Sequence, residues 1–158
     1  MKKILVLSDS HGNITNMRRA VKLEKPDMII HLGDHYSDAE ELYDMFPSIT
    51  FEMVKGNCDS CLRPTEKLIE IEGKKIFMCH GHDYHVKSDC LTLQYAALEK
   101  EAEIALYGHT HIPFYDRQGA LHIMNPGSIG AVRTPYGATY GRLIIENGQI
   151  FINLASLG

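Results

Sequence analysis

The most constraining feature of the chain is a repeated pairing of a short, largely apolar run with a polar segment that directly follows it. Such runs occupy residues 4–7, 28–30, 51–54, 76–79 and 104–107. The first three alternate with stretches of helical character, which gives a β-α-β-α-β order and predicts parallel pairing with right-handed crossovers. The carboxyl ends of such strands share one edge of a sheet, so we expect the polar segments to converge there.

The rest of the chain is predicted to be mainly β-structure with one further helix. Asn147-Gly148 lies between two alternating apolar runs and predicts a tight hairpin, and Glu72-Gly73-Lys74 predicts another. We predict strands at 3–8, 28–32, 50–55, 66–72, 74–79, 103–107, 112–117, 120–124, 139–146 and 149–154, and helices near 14–25, 38–46 and 88–101.

Local signals refine the three helices. Asn13 is a suitable N-cap for the first helix, and Ser37 with Glu40 forms a capping-box pattern at the start of the second. In the third helix, the spacing of the apolar residues places Leu91, Tyr95 and Leu98 on one face. The combined pattern favours an α/β (α+β) fold in which two mixed β-sheets pack face to face with helices outside.

Composition excludes several classes of protein. The 158 residues suit a single domain spanning 1–158, and a hydrophobic content of 44% excludes general disorder. A formal net charge of -4 without a basic cluster gives no support for an obligate nucleic-acid partner. No apolar run approaches the ~18 residues of a membrane span, so no membrane partner is expected.

The cysteines point to a reducing compartment. Cys58 and Cys61 have C-x-x-C spacing, but no second pair completes a zinc site. Cys79 lies within an apolar run and reads as a buried thiol. We therefore expect reduced thiols and a cytoplasmic location.

The polar segments contain seven side chains suited to divalent metals. Asp9 and His11 are separated by one residue, as are His109 and His111, and in an extended chain such pairs lie on the same side. Single ligands follow three other runs. The complete set is Asp9, His11, Asp34, Asn57, His80, His109 and His111.

Seven ligands exceed the needs of one ion. A mixed oxygen and nitrogen set of this size suits two ions that share a bridging carboxylate. Imidazole ligands disfavour calcium and favour Mn²⁺, Ni²⁺, Fe²⁺ or Zn²⁺. We expect two divalent metal ions, with Mn²⁺ as the first choice.

These residues resemble, in order and spacing, the signature of the calcineurin-like metallophosphoesterases. The matching motifs are Asp9-x-His11, Gly33-Asp34, Gly56-Asn57, His80 and Gly108-His109-x-His111. The short length and Gly56-Asn57-Cys58-Asp59 look like the small prokaryotic subgroup that includes the YfcE-type phosphodiesterases.

The resemblance implies a four-layer αββα sandwich and a dinuclear centre. It assigns Asp9, His11, Asp34 and His111 to the first ion. It assigns Asp34, Asn57, His80 and His109 to the second ion, with Asp34 as the bridge. The implied activity is hydrolysis of a small-molecule phosphate diester by a hydroxide that bridges the metals.

One position departs from the family pattern. Many members carry His where this chain has Cys58, and that His is thought to protonate the leaving oxygen. Cys58 and His82 are therefore the candidate proton donors, and Asn57 is a candidate contact to the phosphoryl group as well as a ligand. The departure favours a diesterase over a phosphomonoesterase that uses the same metals.

Several polar residues have simpler structural interpretations. His31, His85 and His122 read as ordinary structural histidines, whereas His35 either lines the pocket or serves no site. Asp59 is expected to orient a loop. The segment Asn125-Pro126-Gly127-Ser128 either forms a tight turn or places backbone amides near the site.

Three functional classes stay open: a phosphodiesterase, a phosphomonoesterase, and a non-catalytic scaffold. The scaffold class is represented in this fold by a subunit of the retromer coat, in which the catalytic residues are eroded. Completeness of the seven ligands argues against the scaffold. Lys87 or Arg133 is a candidate phosphate contact. The physiological substrate is not predicted, and a homo-oligomer stays open.

Overall fold

The computed structural model describes residues 1–158 and contains two five-stranded sheets, three α-helices and one 3-10 helix. The strands are β1 (Lys2–Leu7), β2 (Met28–His31), β3 (Thr50–Met53), β4 (Glu66–Ile71), β5 (Lys74–Cys79), β6 (Ile104–Leu106), β7 (Phe114–Gln118), β8 (Leu121–Asn125), β9 (Thr139–Glu146) and β10 (Gln149–Ser156). The helices are α1 (Ile14–Glu24), α2 (Tyr36–Met45) and α3 (Leu91–Glu99), and the 3-10 helix spans His82–Tyr84.

Both sheets are mixed. In the first, with order β10-β9-β1-β2-β3, the strands β1, β2 and β3 run parallel, β9 pairs antiparallel with β1, and β10 pairs antiparallel with β9 at the edge. In the second, with order β4-β5-β6-β8-β7, the strands β5, β6 and β8 run parallel between two antiparallel edges. The predicted parallel pairing of the β-α-β-α-β segment is confirmed.

The layers are defined by three buried apolar clusters. Alternate side chains of β1 face opposite directions, so Ile4 joins the central core between the sheets while Leu5 faces the outer helices. Met17 of α1 packs in the same outer cluster as Leu5, and Leu93 of α3 packs on the far side of the second sheet. The order helix, sheet, sheet, helix confirms the predicted αββα sandwich.

The tight turns follow the sequence signals. Glu72 and Gly73 have φ of 51° and 78°, and Asn147 and Gly148 have φ of 52° and 76°. Two successive left-handed residues match the twist of a two-residue hairpin, which is why an Asn-Gly pair is favoured there. The predicted cap of α1 is also confirmed, since Asn13 Oδ1 accepts the Asn16 N–H at 3.0 Å.

The predicted capping box of the second helix is wrong. The helix begins at Tyr36, so Ser37 and Glu40 lie inside it, and its N-cap residue His35 makes no side-chain cap bond. The N–H groups of His35 and Tyr36 instead donate to Asp59 Oδ1, each at 2.8 Å. A carboxylate from a distant loop has replaced the local cap.

The third helix is shorter than predicted, because it begins at Leu91 rather than near 88 and ends at Glu99. Leu91, Tyr95 and Leu98 face solvent, with exposed fractions of 51%, 67% and 56%. Leu93 and Ala97 are the helix residues buried against the sheet. No helix of the structure is both long enough and apolar enough to cross a membrane.

Candidate metal centre

The predicted ligands lie in loops that follow five different strands. Asp9 and His11 follow β1, Asp34 follows β2, and His80 comes directly after β5. The remaining ligands follow β3 and β6: they are Asn57, His109 and His111. The strand ends of both sheets therefore supply the site.

One group of four side chains, the first ligand set, is already gathered closely enough to hold an ion. The ligand atoms of Asp9, His11, Asp34 and His111 all lie within 4.8 Å of one another. His111 Nε2 lies 3.2 Å from Asp9 Oδ1, and His11 Nε2 lies 3.7 Å from Asp34 Oδ2. Asp9 is fully buried, so its charge lies in a region of low dielectric where a cation is strongly favoured.

A second ligand set lies on the other side of the Asp34 carboxylate. His80 Nε2 lies 3.5 Å from Asp34 Oδ1, and the His80 and His109 rings are 5.1 Å apart between centroids. His109 Nδ1 lies 3.1 Å from Asn57 Oδ1. One oxygen of Asp34 thus faces His11 and the other faces His80, which is the arrangement a bridging carboxylate requires.

The residues fit a metal. Asp9 Oδ1, His11 Nε2 and His80 Nε2 are buried and have no hydrogen-bond partner within the protein. A buried polar atom without a partner costs about 1–3 kcal/mol, so three of them at one place are a strong indication of a ligand. Their mixed oxygen and imidazole chemistry suits Mn²⁺, Fe²⁺, Ni²⁺ or Zn²⁺.

Backbone carbonyls orient two of the imidazoles. His80 Nδ1–H donates to the Leu32 carbonyl at 2.8 Å, and His111 Nδ1–H donates to the Val132 carbonyl at 2.6 Å. Because a carbonyl only accepts, each ring presents an unprotonated Nε2 when it is neutral. Such outer hydrogen bonds fix the tautomer of metal-binding histidines.

The charges of the two sets are coupled. Burial alone would raise the pKa of Asp34, but His80 and the Cys58 N–H, 3.0 Å from Oδ1, hold that pKa well below its usual range. Burial alone would lower the pKa of His80, but the Asp34 and Asp9 carboxylates raise it above its ordinary value. Burial, together with the charges of His80 and Lys87, lowers the pKa of His109 to about 4.

The backbone at the two ligand pairs differs from the extended chain that their spacing predicted. Asp9 and His11 have φ of 53° and 43°, and His109 and His111 have φ of 71° and 63°. The premise that these pairs lie on extended chain is therefore wrong. Left-handed turns fold each pair inward, and such non-glycine conformations cost about 1–3 kcal/mol each and cluster at functional sites.

Asp34 shares this left-handed conformation, with φ of 58°, and close packing surrounds it. A Cβ added to Gly56 would collide with Asp34 Oδ1, and one added to Gly33 would lie 2.5 Å from Gly56 N. The two glycines therefore allow the loops after β2 and β3 to touch. This contact brings Asn57 to the side of Asp34.

Asp59 holds the loops after β2 and β3 together. The prediction that Asp59 orients a loop is confirmed. Its carboxylate accepts four backbone N–H groups, at 2.8–3.1 Å, from Asp34, His35, Tyr36 and Gly56. Four such bonds to one carboxylate hold Asp34, the start of α2 and the Asn57 loop in one arrangement.

A buried hydrogen-bond network that no sequence motif predicted lies under the first ligand set. His31 Nδ1 accepts the Gly33 N–H at 3.1 Å, so Nε2 carries the proton and donates to Ser10 Oγ at 3.0 Å. Ser10 Oγ in turn donates to Asp38 Oδ2 at 2.8 Å. Burial lowers the pKa of His31 to about 4, which keeps the ring neutral.

This network joins the loop of Asp9 to the loop of Asp34. Asp38 Oδ2 also accepts the Gly12 N–H at 2.6 Å. The structural interpretation of His31 is confirmed, but the partnership with Ser10 and Asp38 was missed. Its only sequence signal was the presence of polar residues beside or shortly after each ligand motif.

The two candidate proton donors both lie beside the second ligand set, on different sides. Cys58 is exposed and lines the cleft beside Asn57. Burial and the Asp34 charge raise the pKa of its thiol, so it keeps its proton at neutral pH. His82 begins the 3-10 helix with its ring centroid 6.2 Å from that of His109, and its buried Nδ1 has no hydrogen-bond partner.

Three further polar residues for which the sequence offered simpler structural interpretations are His122, His35 and Asn125. His122 bonds to the Tyr115 hydroxyl at 2.7 Å, as a structural histidine would. The His35 ring lies 5.0 Å from that of His11, at the margin of the first set. Asn125 Oδ1 accepts the Gly127 N–H at 2.8 Å, which closes the predicted turn, and its amide donates to the Gly108 carbonyl at 3.1 Å.

Five of the seven predicted ligands line a cleft of about 450 Å³, here called the metal cleft, while Asp9 and His80 are buried beneath the surface. Besides ligands and Cys58, its walls include Lys87, Thr110, Val132 and Arg133. The floor of the metal cleft thus carries a carboxylate and several imidazoles, and the cationic side chains of Lys87 and Arg133 stand at its walls. Such a surface suits a divalent metal and an anionic ligand bound over it.

Fold and site together define an αββα domain with candidate metal ligands at its strand ends. The family model of the calcineurin-like phosphoesterase superfamily domain matches residues 1–148. The chain therefore belongs to the calcineurin-like phosphoesterase superfamily.

Two curated relatives span nearly the whole chain. A probable metallophosphoesterase of Mycoplasma pneumoniae is 32% identical over 154 residues, covering 95% of this chain and 94% of that protein. Phosphodiesterase YfcE of Escherichia coli is 25% identical over 171 residues, covering 90% and 88%.

Solved structures give the same fold. A predicted phosphoesterase from Streptococcus pneumoniae superposes with a TM-score of 0.81 at 30% identity, covering 98% of this chain and 89% of that one. Vacuolar Protein Sorting 29 from Cryptosporidium parvum has a TM-score of 0.77 at 15% identity, covering 98% and 96%. The latter likeness concerns the fold alone.

Proposed function

We propose that the protein is a metal-dependent phosphodiesterase whose seven ligands hold two divalent ions, with Mn²⁺ as the first choice. The observation that carries this proposal is the position of Asp34, whose two carboxylate oxygens face His11 on one side and His80 on the other. Two bound dications would activate water for attack on phosphorus and offset charge on the phosphoryl oxygens.

The side chains around the metals have separate tasks. Lys87 and Arg133 line the cleft and would bind non-bridging oxygens of the substrate. Asn57 would use its amide oxygen as a ligand and leave its NH₂ group for the phosphoryl group. Cys58 or His82 would give a proton to the leaving oxygen, and the raised pKa of Cys58 keeps that proton available at neutral pH.

A diester is favoured over a monoester by two observations. Cys58 stands where many family members carry a His, and its thiol reaches less far than an imidazole, so protonation of poor leaving groups is disfavoured. We take this departure from the family pattern to favour a diesterase. A relative of 25% identity bears the name phosphodiesterase. A phosphomonoesterase using the same site is the second candidate, and a scaffold of the same fold is the third.

Chromogenic esters distinguish the three candidates. With added Mn²⁺, we expect bis(4-nitrophenyl) phosphate to be hydrolysed with a higher kcat/KM than 4-nitrophenyl phosphate, and EDTA to abolish both activities. A preference for the monoester would favour the phosphatase. Failure of the metal-loaded protein to hydrolyse either ester would favour the scaffold.

The proton donor is tested by separate Cys58→Ala and His82→Ala variants. Loss of the acid should slow esters with poor leaving groups far more than nitrophenyl esters, because only the former need protonation. Cys61→Ala and His85→Ala are the matched controls, since they remove the same functional groups nearby. If both test variants keep wild-type kcat on a diester with an alkoxide leaving group, neither residue is the acid.

A further inference from the structure

A second cavity, the apolar groove, lies beside the metal cleft. It measures about 420 Å³ and is lined by Val86, Lys87, Tyr107, Thr110, Ile112 and Phe114. Lys87 and Thr110 also line the metal cleft. The two cavities therefore meet at these two residues, and a ligand fixed at the metals can extend past them.

The boundary between the two cavities is firmly held. Thr110 Oγ1 accepts the Ile112 N–H at 3.1 Å and the Asn125 side-chain amide at 2.9 Å. Asn125 is fully buried and also donates to the Gly108 carbonyl at 3.1 Å. The groove is thus tied to the loop that carries His109, so its position relative to the ligands is fixed.

The groove has an apolar surface beside a charged cleft. Ile112 and Phe114 are 49% and 39% exposed, although both are large apolar side chains. Lys87 is the only charged residue of the groove, and it stands at the border with the metal cleft. Covering such a surface releases apolar area from water, which is the main source of affinity in ligand pockets.

Only two side-chain hydroxyls line the groove, those of Tyr107 and Thr110, and both already accept hydrogen bonds. Thr110 Oγ1 already accepts two hydrogen bonds. The Tyr107 hydroxyl lies 3.3 Å from Cys90 Sγ and accepts its thiol hydrogen. Besides Lys87, its side chains offer polar contact only through the hydrogens of these two hydroxyls, so the mainly apolar lining matches an alkyl or aryl group better than a hydroxylated one.

We propose that the apolar groove binds one alcohol substituent of the diester substrate, and that this substituent is an alkyl or aryl group. The inference rests on the proposed diesterase function and adds the chemical class of its substrate. The phosphoryl group lies in the metal cleft near Lys87 and Arg133, and the substituent passes Thr110 to reach Ile112 and Phe114.

Phosphonates test the groove without requiring turnover. Isothermal titration calorimetry on the Mn²⁺-loaded protein compares methylphosphonate with hexylphosphonate, which differ by five methylene groups. A buried methylene contributes ~0.8 kcal/mol, so partial burial of the chain should tighten binding by about 10- to 100-fold. EDTA-treated protein should bind neither compound, because both are anchored at the metals.

The variants Ile112→Ser and Phe114→Ser should reduce that preference to about threefold or less, while the Kd of methylphosphonate stays unchanged. Leu98→Ser is the matched control, since Leu98 is a 56% exposed apolar residue on α3 that does not line either cavity. It should keep the full preference. Thermal melts identify any variant whose fold is weakened.

Equal affinities of the wild-type protein for the two phosphonates would overturn the groove assignment. Hydrolysis of methyl 4-nitrophenyl phosphate reports on the proposed function separately. If that ester is hydrolysed in a chelator-sensitive reaction while the affinities are equal, the diesterase stands and only the groove assignment fails. If the Mn²⁺-loaded protein hydrolyses no diester, both proposals fail.

Discussion

The two ligand sets that share Asp34 are built differently. In the first, the ligand atoms lie within 4.8 Å of one another, and all four residues are buried or half-buried. In the second, His80 is fully buried, but Asn57 is exposed and its amide oxygen touches His109. The first set is therefore closed, and the second depends on a loop that reaches in from the surface.

The difference suggests how the two ions would be held. A set whose members are already close loses little conformational freedom when an ion binds, whereas an exposed amide must be ordered. We therefore expect the first ion to bind more tightly than the second.

Replacement of Asp34 should have the largest effect, because both sets use it. Asp34→Ala is expected to lower kcat/KM by about a thousandfold or more, the scale of several kcal/mol of transition-state stabilisation. Metal content measured by elemental analysis should fall below one ion per chain. Asp44→Ala, an exposed carboxylate on α2, should leave both quantities unchanged. Two retained ions in Asp34→Ala would exclude a bridging role.

Loss of one ligand from each set should separate the two ions. Asn57→Ala should keep one Mn²⁺ with nearly wild-type affinity, whereas His11→Ala should lose the tighter ion, because His11 belongs to the closed set. Both changes should reduce activity by about a hundredfold. Electron paramagnetic resonance separates the coupled signal of a Mn²⁺ pair from that of one ion. If the two variants bind the remaining ion equally well, the two sets are not distinct.

Asp59 should affect the second set more than the first, because it holds the Asn57 loop through Gly56. In Asp59→Asn an amide NH₂ faces backbone N–H groups that need an acceptor, so we expect a loss of about 1–3 kcal/mol of stability. The affinity for the second ion should fall about tenfold, within the range typical of outer-shell changes. Asp44→Asn is the isosteric control. Unchanged affinity for both ions would limit Asp59 to capping α2.

A carboxylate outside both sets separates stability from metal binding. The Arg142 guanidinium, 2.8 Å from Glu24, lowers the pKa of that carboxyl to about 2 against the opposing effect of burial, with help from Tyr140 and Lys3. Because the folded pKa lies below the unfolded value, this stabilisation is present above about pH 4.5 and is lost as the pH falls toward 2.

Glu24→Gln should therefore lower the Tm at pH 7, on the order of 2–3 kcal/mol in the free energy of unfolding, and the difference should vanish near pH 2. Metal content and activity at pH 7 should match the wild-type protein. Thermal melts of the metal-free protein across this pH range measure the effect. A difference that persists unchanged at pH 2 would exclude charge as its cause.

Much of the fold followed from local patterns. The short apolar runs predicted the strands that carry the site, and Asn147-Gly148 predicted its hairpin because few residue pairs adopt two left-handed conformations in succession. Helix boundaries were less accurate. The capping-box pattern at Ser37 failed because Asp59, 22 positions beyond it in the sequence, supplied a better acceptor.

The sequence by itself determined which residues are available for metal and the order in which strands deliver them, because ligand chemistry and strand position are local properties. Tertiary structure alone decided the left-handed turns at Asp9 and His111, the Ser10–His31–Asp38 network and the meeting of the cleft with the groove. Each of these arises from contacts between segments distant in the chain, whose geometry depends on how the two sheets pack.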